Sequence, residues 1–161
     1  MSRNQRKRVD IVTIRISKLE LVKESSFFYK SGEERRKIIS PRNAFDLVEN
    51  MFKGLDREMV VAAYLNTKQE PLAISKISIG SLNSSIVHPR EILKAAILSN
   101  AASFILYHNH PSGDYRTPSK EDISITKRIK EAGELIGIQL LDHLIVYEDK
   151  FMSMKEHNYL F

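Results

Sequence analysis

Apolar positions fall along this chain in two rhythms, and the alternation between them marks out helices and strands. From Ser40-Pro41 the period is 3.6 residues, placing Ala44, Leu47, Val48, Met51 and Phe52 on one face of a helix that ends near Phe52. Met59 to Leu65 is a continuous apolar run, the pattern of a strand covered on both faces. The polar turn Asn66-Thr67-Lys68-Gln69-Glu70 leads to a second strand over 71–79, so this pair is expected to be an antiparallel hairpin. A second helix is expected from Pro89, introduced by His88, to about Leu98, with its stop near Asn100. Residues 102–107 predict a buried strand, and 119–136 a long helix with Ile123, Ile125, Ile129, Ala132 and Leu135 turned inward and Gly137 as its C-terminal cap. Residues 138–147 return as a strand, and Glu148-Asp149-Lys150 turns into a short last strand near 151–154. The sum is an α/β (α+β) fold: a mixed central sheet flanked by helices, with no internal repeat.

Composition narrows the class. A chain of 161 residues, 42% hydrophobic, is one domain of ordinary size with enough apolar material for a core. Cys is absent, which excludes disulfides and thiolate metal sites. Charge is unevenly placed: residues 1–40 hold 11 Lys/Arg against 5 Asp/Glu, and 41–161 hold 14 against 15, so the formal +5 resides in the N-terminal arm. Three readings of the arm stand open: a solvated tail, a strand through Asp10–Ile16 that pairs with a second copy in a homodimer, or a sequence-independent contact with nucleic acid. No aromatic residues interleave with its first basic cluster to stack on bases. The N-terminus is too charged for a signal peptide and no run is long enough to span a bilayer, so a cytoplasmic protein without membrane contact is expected.

The candidate chemistry lies in His108-Asn109-His110-Pro111-Ser112-Gly113 and Ser119-Lys120-Glu121-Asp122. His108 and His110 stand two apart at a strand end, so both rings face the same side. Pro111 and Gly113 then turn the chain, and the next helix carries Asp122 in its first turn, back toward that strand end. Two imidazoles and a carboxylate are ligands that Zn²⁺ accepts, and three protein ligands leave a fourth position for a water whose pKa falls toward ~7. Asp122, three residues after Ser119, also fits the acidic position of a capping box. Glu58, just before the 59–65 run, is the candidate general base, with Asp56 close enough to compete for that role. His143, inside a strand-like run, His88, ahead of Pro89, and His157 are given structural places or none.

From about Ser40 to the C-terminus the chain resembles the JAB/MPN metalloproteases of the JAMM type, and within them the RadC-like proteins. The likeness rests on Asp56-Arg57-Glu58, Gly80 to Glu91, Ser99-Asn100-Ala101-Ala102, the His-Asn-His-Pro-Ser-Gly run and Leu140-Leu141-Asp142-His143. It implies a single JAMM/MPN domain over 40–161, with a three-layer arrangement like that of the cytidine deaminases, after a partly extended basic arm over 1–39. It implies one zinc ion held by His108, His110 and Asp122, Glu58 as general acid/base, and Ser119 as stabiliser of the oxyanion; on the residues alone Ser119 is also an N-cap, and Ser112 competes for the oxyanion role. The activity implied is hydrolysis of a peptide, isopeptide or related amide bond in a peptide or protein substrate. The alternative is a DNA-repair or mobile-element factor in which the fold serves binding. Two departures are visible: the 11 residues from Pro111 to Glu121 are one more than the family typically places there, and residues 1–39 differ from the helix-hairpin-helix-like region that precedes the domain in full-length members. A loop absorbs one residue at small entropic cost, so the ligand geometry is expected to be kept.

Overall fold

Ser40 caps the first helix, accepting a hydrogen bond on Oγ from the Asn43 N–H at 3.2 Å, with Pro41 in the first turn, where its missing N–H costs nothing. The computed structural model describes residues 37–80 and 87–160. The arm over 1–36, its strand-like Asp10–Ile16 segment and residues 81–86 of the Gly80–Glu91 stretch lie outside the described residues.

Eight elements follow in order: α1 (Pro41–Phe52), β1 (Met59–Leu65), β2 (Pro71–Ile79), α2 (Pro89–Leu98), β3 (Ser103–Asn109), α3 (Lys120–Leu135), β4 (Gln139–Tyr147) and β5 (Lys150–Ser153). The strands form one sheet in the order β2-β1-β3-β4-β5, antiparallel throughout except for β3 and β4, which run parallel because α3 crosses between them. β1 and β3 are buried along their whole length. One sheet face packs under α1, through Val61, Ala63, Ile105, Tyr107 and Leu144; the other carries Val60, Ala62, Tyr64, Phe104 and Leu106 against α2 and α3. The result is the three-layer mixed α/β arrangement expected. Ile38, placed with the arm by the sequence reading, is buried in the α1-side core.

Several boundaries and faces differ from the sequence pattern for identifiable reasons. β3 runs to Asn109 rather than stopping at 107, since the Asn109 side chain continues the pairing by accepting the Met59 N–H on Oδ1 at 2.7 Å. Phe45 joins the buried face of α1 because it stacks on Phe151 of β5, with ring centroids 4.9 Å apart. Leu135 is 87% exposed, against its expected inward position. At about 100° per residue it lies far around the helix from the buried line Thr126, Ile129 and Gly133. Ile123 packs instead on a small cluster of Ile145, Met152, Met154 and Leu160.

Gly133 shows how closely α3 approaches the sheet. A Cβ there would run into the Ile138 carbonyl oxygen and lie 3.2 Å from Phe104 Cε1. Gly→Ala in a helix ordinarily stabilises by about 1 kcal/mol. Gly133→Ala is expected instead to destabilise by about 1–3 kcal/mol through overpacking, read from urea denaturation midpoints. A stabilised variant would show that α3 can lift off without cost.

Candidate metal centre

Strand register sets the site. Val60 pairs with His108 across the antiparallel β1–β3 ladder, so the start of β1 lies beside the end of β3. Glu58, two residues before Val60, therefore falls on the side that His108 and His110 face. Its backbone carbonyl accepts the Gly80 N–H, and its side chain lines the cleft over the site. Asn109, pointing the other way, holds the segment that bears Glu58: besides taking the Met59 N–H, it donates from Nδ2 to the Arg57 carbonyl at 3.0 Å. Asp56, the competing acid, is exposed and pairs with Arg57 Nε at 3.0 Å.

From the opposite layer, α3 brings Asp122. Ser119 is its N-cap, and the capping box is complete: Ser119 Oγ accepts the Asp122 N–H at 3.0 Å, and Asp122 Oδ2 accepts the Ser119 N–H at 2.8 Å. Both readings of Asp122 hold at the level of geometry, because Oδ1 stays free of the cap and sits 3.3 Å from His108 Nε2, while Oδ2 lies 3.3 Å from His110 Nε2. The two Nε2 atoms are 2.9 Å apart. His108, His110 and Asp122 form the one group among the described residues whose ligand atoms converge in this way. The extra residue before Asp122 does not prevent it.

Proton positions test whether this group fits a metal. His110 Nδ1 faces the Asp114 carbonyl, which can only accept, so the proton of a neutral His110 is on Nδ1 and Nε2 is bare. His108 Nδ1 is 2.7 Å from His143 Nε2, a buried contact that turns His108 Nε2 toward the site. Bare imidazole nitrogens and a carboxylate at 2.9 Å and 3.3 Å from one another repel unless a cation lies among them. Ligand bonds of 2.0–2.1 Å in a tetrahedron put neighbouring donors about 3.3 Å apart, so the group fits Zn²⁺. Without a cation, a ring proton takes its place and the same contacts shift pKa values. Burial pushes the Asp122 carboxyl up, but the His108 and His110 rings and the Ser119 hydroxyl outweigh it and hold the group far below the usual carboxylate range. Contact with Asp122 raises His110, against its own burial.

The site opens into a cleft of about 1170 Å³ whose wall is apolar at Val60, Val87, Leu106, Ile125 and Ile129. Ser112 lines it. Ser119 lines it too, but its hydroxyl donates to Asp122 Oδ2 at 2.7 Å and must turn away from the cap to reach a substrate oxygen. His88 caps α2, its Nδ1 accepting the Arg90 N–H, and His157 contacts the Ser153 carbonyl. His143 does more than the sequence suggested: it is 4% exposed and stands directly behind His108, with Thr126 behind it at 2.6 Å. Neither contact is visible before the β3–β4 register and the packing of α3 are known. No described helix is long and apolar enough to cross a membrane.

A family model described as the RadC-like JAB domain matches residues 38–159. The UPF0758 protein YsxA of Bacillus subtilis is 52% identical over 130 residues, 81% of this chain and 56% of the relative. A UPF0758 protein of Desulforamulus reducens is 56% identical over 124 residues, 77% of this chain and 54% of the relative. One from Clostridium botulinum is 56% identical over 128 residues, 80% and 55% respectively. The chain thus spans a little over half the length of these relatives.

Proposed function

Since the chain belongs to the RadC-like JAB domain family, we propose that it is a zinc-dependent hydrolase cleaving a peptide, isopeptide or related amide bond. The observation that carries this reading is the convergence of His108 Nε2, His110 Nε2 and Asp122 in a cleft that Glu58 also lines. When bound, zinc polarises a carbonyl and lowers the pKa of water to about 7. Glu58 takes the proton of the attacking water on its carboxylate and delivers it to the departing amine nitrogen. Ser119 Oγ–H, rotated off Asp122, donates to the carbonyl oxygen as charge develops there. The apolar residues of the cleft wall offer the substrate a surface beside these polar groups.

Elemental analysis of protein purified without chelator is expected to find one zinc per chain in the wild type and none in His108→Ala. Amide cleavage, screened on peptide and isopeptide substrates, should disappear with a chelator and return with zinc. A wild-type protein that takes up no divalent metal from zinc-replete buffer overturns the reading.

A further inference from the structure

Behind the candidate ligands a chain of hydrogen bonds runs from the Asp122 carbonyl through Thr126 and His143 to His108. The Thr126 Oγ lies 2.6 Å from the Asp122 carbonyl one helical turn earlier, and 2.6 Å from His143 Nδ1. His143 Nε2 lies 2.7 Å from His108 Nδ1, and His108 Nε2 returns to the Asp122 carboxylate at 3.3 Å. A carbonyl only accepts, so the single Thr126 hydroxyl proton goes to Asp122. Met154 Sδ, 3.8 Å from Oγ, is a longer and weaker acceptor. Thr126 Oγ must then accept from His143, which puts the His143 proton on Nδ1 and leaves Nε2 bare. His143 Nε2 in turn accepts from His108 Nδ1, which leaves the His108 lone pair on Nε2, facing the site.

We propose that Thr126 and His143 are positioning residues that fix the ring tautomer and orientation of His108, transmitting the direction of one α3 carbonyl through two rings to the candidate zinc ligand. The direction is set at the carbonyl end: reversing the ring bonds would send the Thr126 proton to His143 and leave Thr126 Oγ and the Asp122 carbonyl as two acceptors 2.6 Å apart, which is costly. His143 is 4% exposed, so its two ring nitrogens depend on Thr126 and His108 for their hydrogen bonds. Because α3 carries both Asp122 and Thr126, the helix that delivers the carboxylate also sets the lone pair of the histidine opposite it. As a statement about zinc binding, the inference rests on the proposed function; as a statement about tautomers, it does not.

The test uses the full chain with nitrogen-15-labelled histidine, metal-free, in long-range proton–nitrogen correlation spectra. Wild-type His143 is expected to be protonated on Nδ1 only. Thr126→Val, similar in shape but without the hydroxyl, should shift or mix that tautomer and weaken zinc binding about 10-fold or more in chelator competition, while Thr126→Ser stays close to wild type. A purely structural role would lower the melting temperature of Thr126→Val without moving tautomer or affinity. His143 protonated on Nε2 in the wild type overturns the proposal, as does a Thr126→Val protein that binds zinc like the wild type. Should Thr126→Val not fold, the wild-type spectrum and Thr126→Ser decide. If the wild type binds no zinc, the hydrolase reading falls, and the ring spectra still show whether the relay exists.

Discussion

Glu58→Gln is expected to keep its zinc and lose about 10²- to 10⁴-fold in kcat, the range general acid–base catalysis supplies. The substitution keeps the size of the side chain and removes only its capacity to take a proton. The candidate ligands are untouched, since Glu58 immediately precedes β1 while His108, His110 and Asp122 belong to β3, the residue after it, and α3. The backbone of this segment is held by Asn109 and Gly80 rather than by the carboxylate, so the fold should be unaffected. Steady-state rates on a cleavable amide, set beside metal content, check both halves. Wild-type turnover in Glu58→Gln would move the base elsewhere, with Asp56 a poor heir because it is exposed and paired with Arg57.

Asp122→Ala should weaken zinc binding by more than the 10–100-fold typical of residues that only support a ligand. It should also cost helix stability, since Asp122 supplies the return bond of the capping box. Ser119→Ala separates the two roles: it removes the cap at a cost of about 1 kcal/mol and leaves the ligand set whole. Calorimetry for stability and chelator competition for metal should therefore show both variants destabilised and only Asp122→Ala stripped. The metal-free protein adds a pH signature. His110 has its pKa raised in the folded state, first of all by Asp122, so its stabilisation is complete below the ordinary imidazole value of about 6.5 and fades as pH climbs through the raised value. His143 acts on the other side, its depressed pKa withdrawing stability only as pH falls below about 6.5. The chelated wild type should therefore lose melting temperature as pH rises above about 6.5, and Asp122→Ala should flatten that slope.

The elements that depend on local periodicity were legible: α1 from its serine–proline start, β1 as an unbroken apolar run, the β1–β2 hairpin, and the two-residue spacing that aims His108 and His110 together. What the sequence hides is set by distance in space. His143 meets His108 because Leu106 pairs with His143 in the parallel β3–β4 register, and a parallel register is chosen by the crossover helix, whose packing no local pattern encodes. Thr126 reads as an unremarkable polar residue within α3, yet it is fully buried, with its hydroxyl against a ring from β4. Leu135 misled in the opposite sense, an apolar residue at the end of an amphipathic helix that the sheet does not reach. Asp122 was ambiguous between cap and ligand, and its two carboxylate oxygens allow it to face both ways.

Asn109 occupies the middle of a tripeptide whose outer members are the two histidines, and its amide grips the chain on either side of Glu58. Glu58 and the two imidazoles are thereby placed from one short length of backbone. A change in sheet twist would have to break two side-chain hydrogen bonds of Asn109 to part them. The carboxylate arrives separately on α3, so the span of the whole assembly is set by how that helix is seated against the sheet, through Gly133 on Phe104 and Thr126 on His143.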